Sequence, residues 1–261
     1  MTGLHRGTSA PEPRHFQTRR TCLFLDVDGT LVDLLPRPSD VHIDAELLGL
    51  LGLLGRLKSH LGGAIALISG RPLEQLCRMF APLSLPMAGI HGFERLTAQG
   101  DLHRPTVQWP RLDAARQELA KLTQANPDLL VEDKGPALAL HFRGAPDAAD
   151  TAALTMRHCA RELGPGFELL EGSHVIEIKP SNQNKATAIE AFMQEDPFTG
   201  LIPIYIGDDR TDFDGFGAVR RHGGVDIAVG ELVPARWRLE NPAAVREWLR
   251  CFAAQKGAGA P

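Results

Sequence analysis

Short, wholly apolar runs alternate along this chain with longer stretches whose apolar residues recur every three or four positions. The first pattern predicts buried strands and the second amphipathic helices. Their alternation predicts an α/β fold around a parallel sheet. Cys22 to Val27, Ala64 to Ile68, Ile202 to Ile206 and Val225 to Val229 read as the strands. Leu47, Leu48, Leu51, Leu54, Leu57 and Leu61 recur at helical spacing behind Asp44, which suits the N-cap. Ser69-Gly70-Arg71-Pro72 follows the second strand and sets proline at the first position of the next helix.

The middle of the chain is patterned differently. Leu112 to Thr123 and Ala148 to Leu163 read as amphipathic helices, whereas Ala137 to Phe142 and His174 to Lys179 alternate with period two. Such alternation predicts a sheet with one exposed face, unlike the strands of the flanking core. An α+β insert over residues 110–180 is therefore expected inside an α/β core formed by residues 21–109 and 181–254. Residues 1–20 are rich in Arg, His, Pro and Thr, with Glu12 their one acid, and read as a disordered tail. Residues 255–261 read as a second, flexible tail.

Composition adds bounds. An apolar fraction of 43% with 23% charged residues is that of an ordinary globular protein, and 261 residues suffice for one large domain or two modest ones. A formal net charge of -4 gives no electrostatic ground for nucleic acid or an anionic membrane as partner. Cys22, Cys77, Cys159 and Cys251 lie far apart without metal-ligand spacing, which suits thiols in a reduced compartment. With no apolar run approaching the length of a membrane span, the expectation is a cytoplasmic monomer.

The strand ends carry the chemistry. Asp26 and Asp28 leave the first strand at positions i and i+2, so they project to one face and can converge on one reacting atom. The second strand ends in Ser69, and the third in Asp208 and Asp209 with Asp212 one helical turn on. Ligands in open α/β sheets bind outside the carboxyl ends of strands, where all of these gather. Carboxylates meeting at one point repel unless a cation sits between them, and oxygen-only ligation suits Mg²⁺. Lys185, opening a later helix, completes a set fitted to a phosphate group. Singly, Asp208, Asp209, Asp212 and Ser69 read equally well as helix caps.

Together, Asp26-Val27-Asp28-Gly29-Thr30, Ser69-Gly70-Arg71, Lys185 and Gly207-Asp208-Asp209-Arg210-Thr211-Asp212 resemble the four motifs of the haloacid dehalogenase superfamily. More narrowly, the chain resembles the trehalose-6-phosphate phosphatases. Val131-Glu132-Asp133-Lys134-Gly135 and His141-Phe142-Arg143 are similar to that family's cap signature, and Val175 to Pro180, Asn184 to Ile189 and Ala88-Gly89-Ile90-His91-Gly92 to further blocks. The resemblance implies a Rossmann-like core with an inserted α+β cap, Asp26 as nucleophile and Asp28 as general acid/base. It implies Mg²⁺ on Asp26, the main-chain carbonyl of Asp28, and Asp208, with Asp209 and Asp212 supporting. Ser69, Gly70, Arg71 and the catalytic Lys185 would hold the phosphoryl group of a sugar-phosphate substrate. Glu132, Lys134 and Glu177 would reach its sugar hydroxyls. Phe213 stands where the family usually has Glu, Ala186 where Gly is common, and Phe142 in place of the usual Tyr. A phosphatase for sucrose phosphate or mannosylphosphoglycerate, a phosphomutase, and a catalytically silent sugar-phosphate binder remain open alternatives.

Overall fold

The apolar runs become the centre of a twisted sheet because both of its faces are covered. The structure, a computed structural model, describes residues 8–16, 20–34, 45–105, 109–172 and 174–258. In chain order its elements are β1 (Thr8–Ser9), β2 (Thr21–Leu25), α1 (Ala45–His60), β3 (Ile65–Ile68), α2 (Leu73–Phe80), β4 (Met87–Gly89), β5 (Glu94–Leu96) and β6 (Leu102–His103). Then come α3 (Trp109–Ala125), β7 (Leu130–Asp133), β8 (Leu138–His141), α4 (Ala149–Leu163), β9 (Phe167–Gly172) and β10 (Val175–Pro180). The chain ends with α5 (Lys185–Met193), β11 (Ile202–Gly207), α6 (Asp212–Arg221), β12 (Val225–Val229), β13 (Trp237–Leu239) and α7 (Pro242–Ala258).

These elements divide into two compact units, Met1–His103 with Asn184–Pro261, and Arg104–Gln183. Among the described residues the larger unit holds nine strands in the order β1-β13-β12-β11-β2-β3-β4-β5-β6. Pairing is parallel from β1 to β4 and antiparallel only for β5 and β6. The two-residue side-chain period sorts β2 cleanly. Leu23 and Leu25 join a core with α1, α2 and α7, while Cys22 and Phe24 join a second core with α5 and α6. The helix over α1 buries Leu47, Leu50, Leu53, Leu54 and Leu57, and leaves Leu48 facing solvent. Its expected cap, Asp44, lies outside the described residues.

Within the two expected tails, residues 8–16 and 255–258 carry ordered structure. Thr8–Ser9 pairs with β13, the Trp248 indole N–H donates to Pro11 O at 2.8 Å, and Phe16 is buried against Trp248 and Phe252. One aromatic side chain with a slot on α7 outweighs the polar composition around it. At the other end α7 continues through Ala258, so residues 255–258 are helical.

The smaller unit is a four-stranded antiparallel sheet, β7-β8-β10-β9, backed by α3 and α4. Leu138, Leu140, Ile176 and Ile178 pack with Leu112, Leu119, Met156 and Cys159 on that side. Period two therefore places the residues as expected, but the polar face is not open: Glu177 and Lys179 are buried. Their charges are paired, Glu177 with Lys134 and Lys179 with Glu168, as buried charges require. Among the described residues no helix is long and apolar enough to cross a membrane.

Candidate active site

The parallel order sets β11 beside β2, so their carboxyl ends deliver acids to one place. Pairing of β2 stops at Leu25. Asp26 follows it, donating its N–H to Ile206 O at 3.0 Å, and the residue is only 4% exposed. Asp208 follows β11, and the Thr30 hydroxyl donates to it at 3.3 Å. Gly29 lies in the left-handed region (φ 79°) in the turn after Asp28, and a Cβ there would stand 2.2 Å from Asp208 Oδ2. Only glycine permits both the turn and the approach.

Lys185, the first residue of α5, is 2% exposed and links the cluster. Its ammonium donates to Asp26 Oδ1 at 2.7 Å and to Asp212 Oδ1 at 2.6 Å. Asp212 opens α6 and also accepts from the Tyr205 hydroxyl and from the Asp209 N–H at 2.9 Å. Oxygens of Asp26, Asp208 and Asp212 lie within 4.8 Å of one another. Asp212, a supporting residue in the resemblance, is thus in the cluster itself, while the Asp209 carboxylate turns to the N–H of Arg210. Tyr205 went unread in the sequence; the signal was a lone tyrosine, the single one in the chain, inside an aliphatic strand.

The electrostatics follow from burial and from carboxylates crowded together. Burial raises the Asp26 carboxyl well above its ordinary value, Lys185 opposes this, and Asp212 and Asp208 add repulsion. Asp208 is pushed up to about 6, by burial and then by Asp212, against the pull of Lys185. Burial lowers the Lys185 ammonium, but its two acidic neighbours more than reverse that and keep it charged. Three carboxylates against one ammonium leave a formal charge of two minus among oxygen-only donors, which fits a hard divalent ion.

A pH prediction follows. The Asp208 carboxyl is raised from about 4 in the unfolded chain to about 6 in the fold, so the folded state binds more protons in that window. Its contribution to stability is present below about 4 and lost as pH rises through about 6. For chelator-treated protein, the thermal midpoint of Asp208→Asn should gain on the unmodified chain across this window, and added Mg²⁺ should narrow the gap. A gap independent of pH would contradict the shift.

Asp28 belongs to a separate network. The Arg71 guanidinium grips it with two bonds, Nε to Oδ2 at 2.7 Å and Nη2 to Oδ1 at 2.6 Å. Asp26 and Asp28 thus hold different cations in the free protein, Asp26 the Lys185 ammonium and Asp28 the Arg71 guanidinium. Ser69 is buried after β3, and its hydroxyl accepts from the Arg71 N–H at 3.1 Å. Phe213 is 48% exposed with the Arg220 guanidinium 5.9 Å above its ring.

In the smaller unit the expected sugar-binding acids share one sheet face. Glu132 and Glu177 both lie opposite Ala139, on β7 and β10. The Lys134 ammonium donates to Glu177 at 2.7 Å, and His141 Nε2 meets Glu132 at 3.0 Å. Burial pushes the Glu132 carboxyl up, but the His141 hydrogen bond and the Lys134 charge outweigh it and hold the group below its ordinary value. His141, on the same face, was read from sequence only as part of the cap signature, with no role of its own.

A parallel core with acids at the ends of its first and later strands, joined by a buried lysine, has the fold of a haloacid dehalogenase-like hydrolase from Bacteroides thetaiotaomicron, which superposes with a TM-score of 0.62 at 15% identity, covering 88% of this chain and 98% of that one. The trehalose-phosphatase family profile matches residues 24–241. A probable trehalose-phosphate phosphatase of Sinorhizobium fredii is 40% identical over 82% of this chain and 79% of its own. The Escherichia coli trehalose-6-phosphate phosphatase is 38% identical over 87% of this chain and 84% of its own. The crystal structure of a trehalose-6-phosphate phosphatase related protein superposes with a TM-score of 0.75 at 26% identity, covering 90% of this chain and 97% of that one. The chain belongs to the trehalose-phosphatase family and is a phosphoric monoester hydrolase.

Proposed function

We propose that the chain hydrolyses trehalose 6-phosphate to trehalose and inorganic phosphate through a phosphoryl group carried on Asp26. The observation that carries the reading is the buried Lys185 ammonium between Asp26 and Asp212, at strand ends shared with Asp208. An Asp26 oxygen forms the bond to phosphorus as the bond to the sugar oxygen breaks, and Asp28 delivers the proton that the leaving sugar oxygen takes up. Water then gives a proton to Asp28 and attacks the same phosphorus, freeing Asp26 and phosphate. Lys185 and Ser69 hold the equatorial oxygens, where charge gathers during phosphoryl transfer. Arg71 keeps Asp28 in place in the free protein and passes a donor to the arriving phosphoryl group, which releases Asp28 to take up a proton. Mg²⁺ held by Asp26, the carbonyl of Asp28, and Asp208, with Asp209 and Asp212 beside it, would neutralise charge so that a carboxylate can approach a phosphate dianion.

Glu132, Lys134 and Glu177 recognise the sugar hydroxyls. Truncating Lys134 to alanine should raise KM for trehalose 6-phosphate by about 10- to 100-fold more than for a small aryl phosphate, the range of one lost charged hydrogen bond. Equal effects on both substrates would remove Lys134 from sugar recognition. Phosphate release should be measured with Mg²⁺ on trehalose 6-phosphate, sucrose phosphate, mannosylphosphoglycerate and glucose 6-phosphate. The expected result is a clear preference for the first; equal rates would sink the substrate assignment. Binding without release would leave a silent binder, and an isomerised sugar phosphate a mutase.

A further inference from the structure

The Ile90-His91-Gly92 turn has a backbone that local preferences oppose. Ile90 (φ 48°), His91 (φ 55°) and Gly92 (φ 102°) all lie in the left-handed region, and a β-branched residue there is a genuine outlier. Such conformations persist where their surroundings dictate them, and they gather at functional sites. The surroundings here are the two elements assigned to the phosphoryl group. On one side the Ile90 N–H donates to Arg71 O and the His91 N–H to Ser69 O, both at 2.9 Å. The His91 ring, 7% exposed, lies against Gly70, where a Cβ would stand 2.7 Å from its Cε1 and 2.9 Å from its Nε2. On the other side a Cβ on Gly92 would stand 2.6 Å from Asn184 O and 3.2 Å from the Ala188 Cβ. Asn184 is the N-cap of α5, the residue before Lys185, locked by reciprocal bonds with Thr187.

We propose that His91 is a positioning residue: its ring beneath Gly70 and its left-handed backbone brace the Ser69 loop against the start of α5, setting Ser69 and Lys185 at the separation a phosphoryl group requires. This rests on the reading that Ser69 and Lys185 hold that group. A histidine that only filled space would affect stability alone; a brace also sets affinity for phosphate.

The test measures competitive inhibition by inorganic phosphate, along with kcat/KM on trehalose 6-phosphate and the unfolding midpoint, in the full chain with Mg²⁺. Asparagine tolerates left-handed backbone, so His91→Asn removes the ring contact and leaves the turn. It should raise the phosphate inhibition constant about tenfold and lower kcat/KM by about 10- to 100-fold, the scale of a small misplacement of catalytic groups. Gly70→Ala should lose about 100-fold in kcat/KM by pushing the loop off the ring, and His91→Ala in the same chain should restore about tenfold, because the methyl takes the vacated space. Unchanged phosphate inhibition in His91→Asn, or losses that simply multiply in the double variant, would overturn the proposal. Should the double variant not fold, His91→Asn and Gly70→Ala decide it, and normal phosphate inhibition in either one overturns it. If Ser69→Ala and Lys185→Met also leave phosphate inhibition unchanged, the assignment of the phosphoryl pocket has failed, and the role given to His91 falls with it.

Discussion

Asp26→Asn is expected to slow phosphate release from trehalose 6-phosphate by at least about a thousandfold, the scale of losing a catalytic nucleophile, while leaving the fold intact. The amide keeps the size of the carboxylate and an oxygen to accept from Lys185, but it is no nucleophile. Stability should not fall with activity. Asp26 is a buried acid whose carboxyl is already raised by burial and by Asp212 and Asp208, so removing its charge relieves repulsion. Lys185 keeps its bond to Asp212. Denaturant midpoints of the metal-free proteins at neutral pH should be equal, or favour Asp26→Asn. An inactive variant that is also several kcal/mol less stable would show that Asp26 serves the fold first.

Lys185→Met should do the opposite and damage both. The ammonium is buried and forms ion pairs with both Asp26 and Asp212. Removing one partner of a buried ion pair leaves uncompensated charge and costs about 3–5 kcal/mol. The carboxyls can escape part of that cost by taking up protons, so the loss should be smaller near pH 5 than above the Asp208 value of about 6. Lys185→Arg is no rescue, since a planar fork does not fit the slot of a compact ammonium. Urea unfolding at two pH values reads this directly, and a loss below about 1 kcal/mol at neutral pH would contradict the electrostatic role given to Lys185.

What could be read from the sequence divides along physical lines. Apolar runs mark β2, β3, β11 and β12 because each is buried on both faces, and the acids that end them follow from the carboxyl-end rule. That β11 lies beside β2 is a property of topology, and only this adjacency lets Asp208 and Asp212 reach Asp26 and Lys185. The grip of Arg71 on Asp28 spans 43 residues and depends on where the pairing of β2 ends, so neither spacing nor propensity encodes it. In the smaller unit alternation identifies which residues share a face. It does not say whether that face is open, and the Lys134–Glu177 pair is buried. Phe16 was hidden for a simpler reason: a single aromatic in a polar segment gives no pattern until Trp248 and Phe252 are seen beside it.

The most direct measurement is made within one turnover. The protein is mixed with trehalose 6-phosphate and Mg²⁺, quenched in acid within milliseconds, and its peptides are mapped by mass. A phosphoryl group should be found on Asp26 and on no other residue, and it should be missing from Asp26→Asn together with phosphate release. Release that continues at the unmodified rate in Asp26→Asn, with Asp26 never phosphorylated in the unmodified chain, would contradict the assignment of Asp26 as the nucleophile.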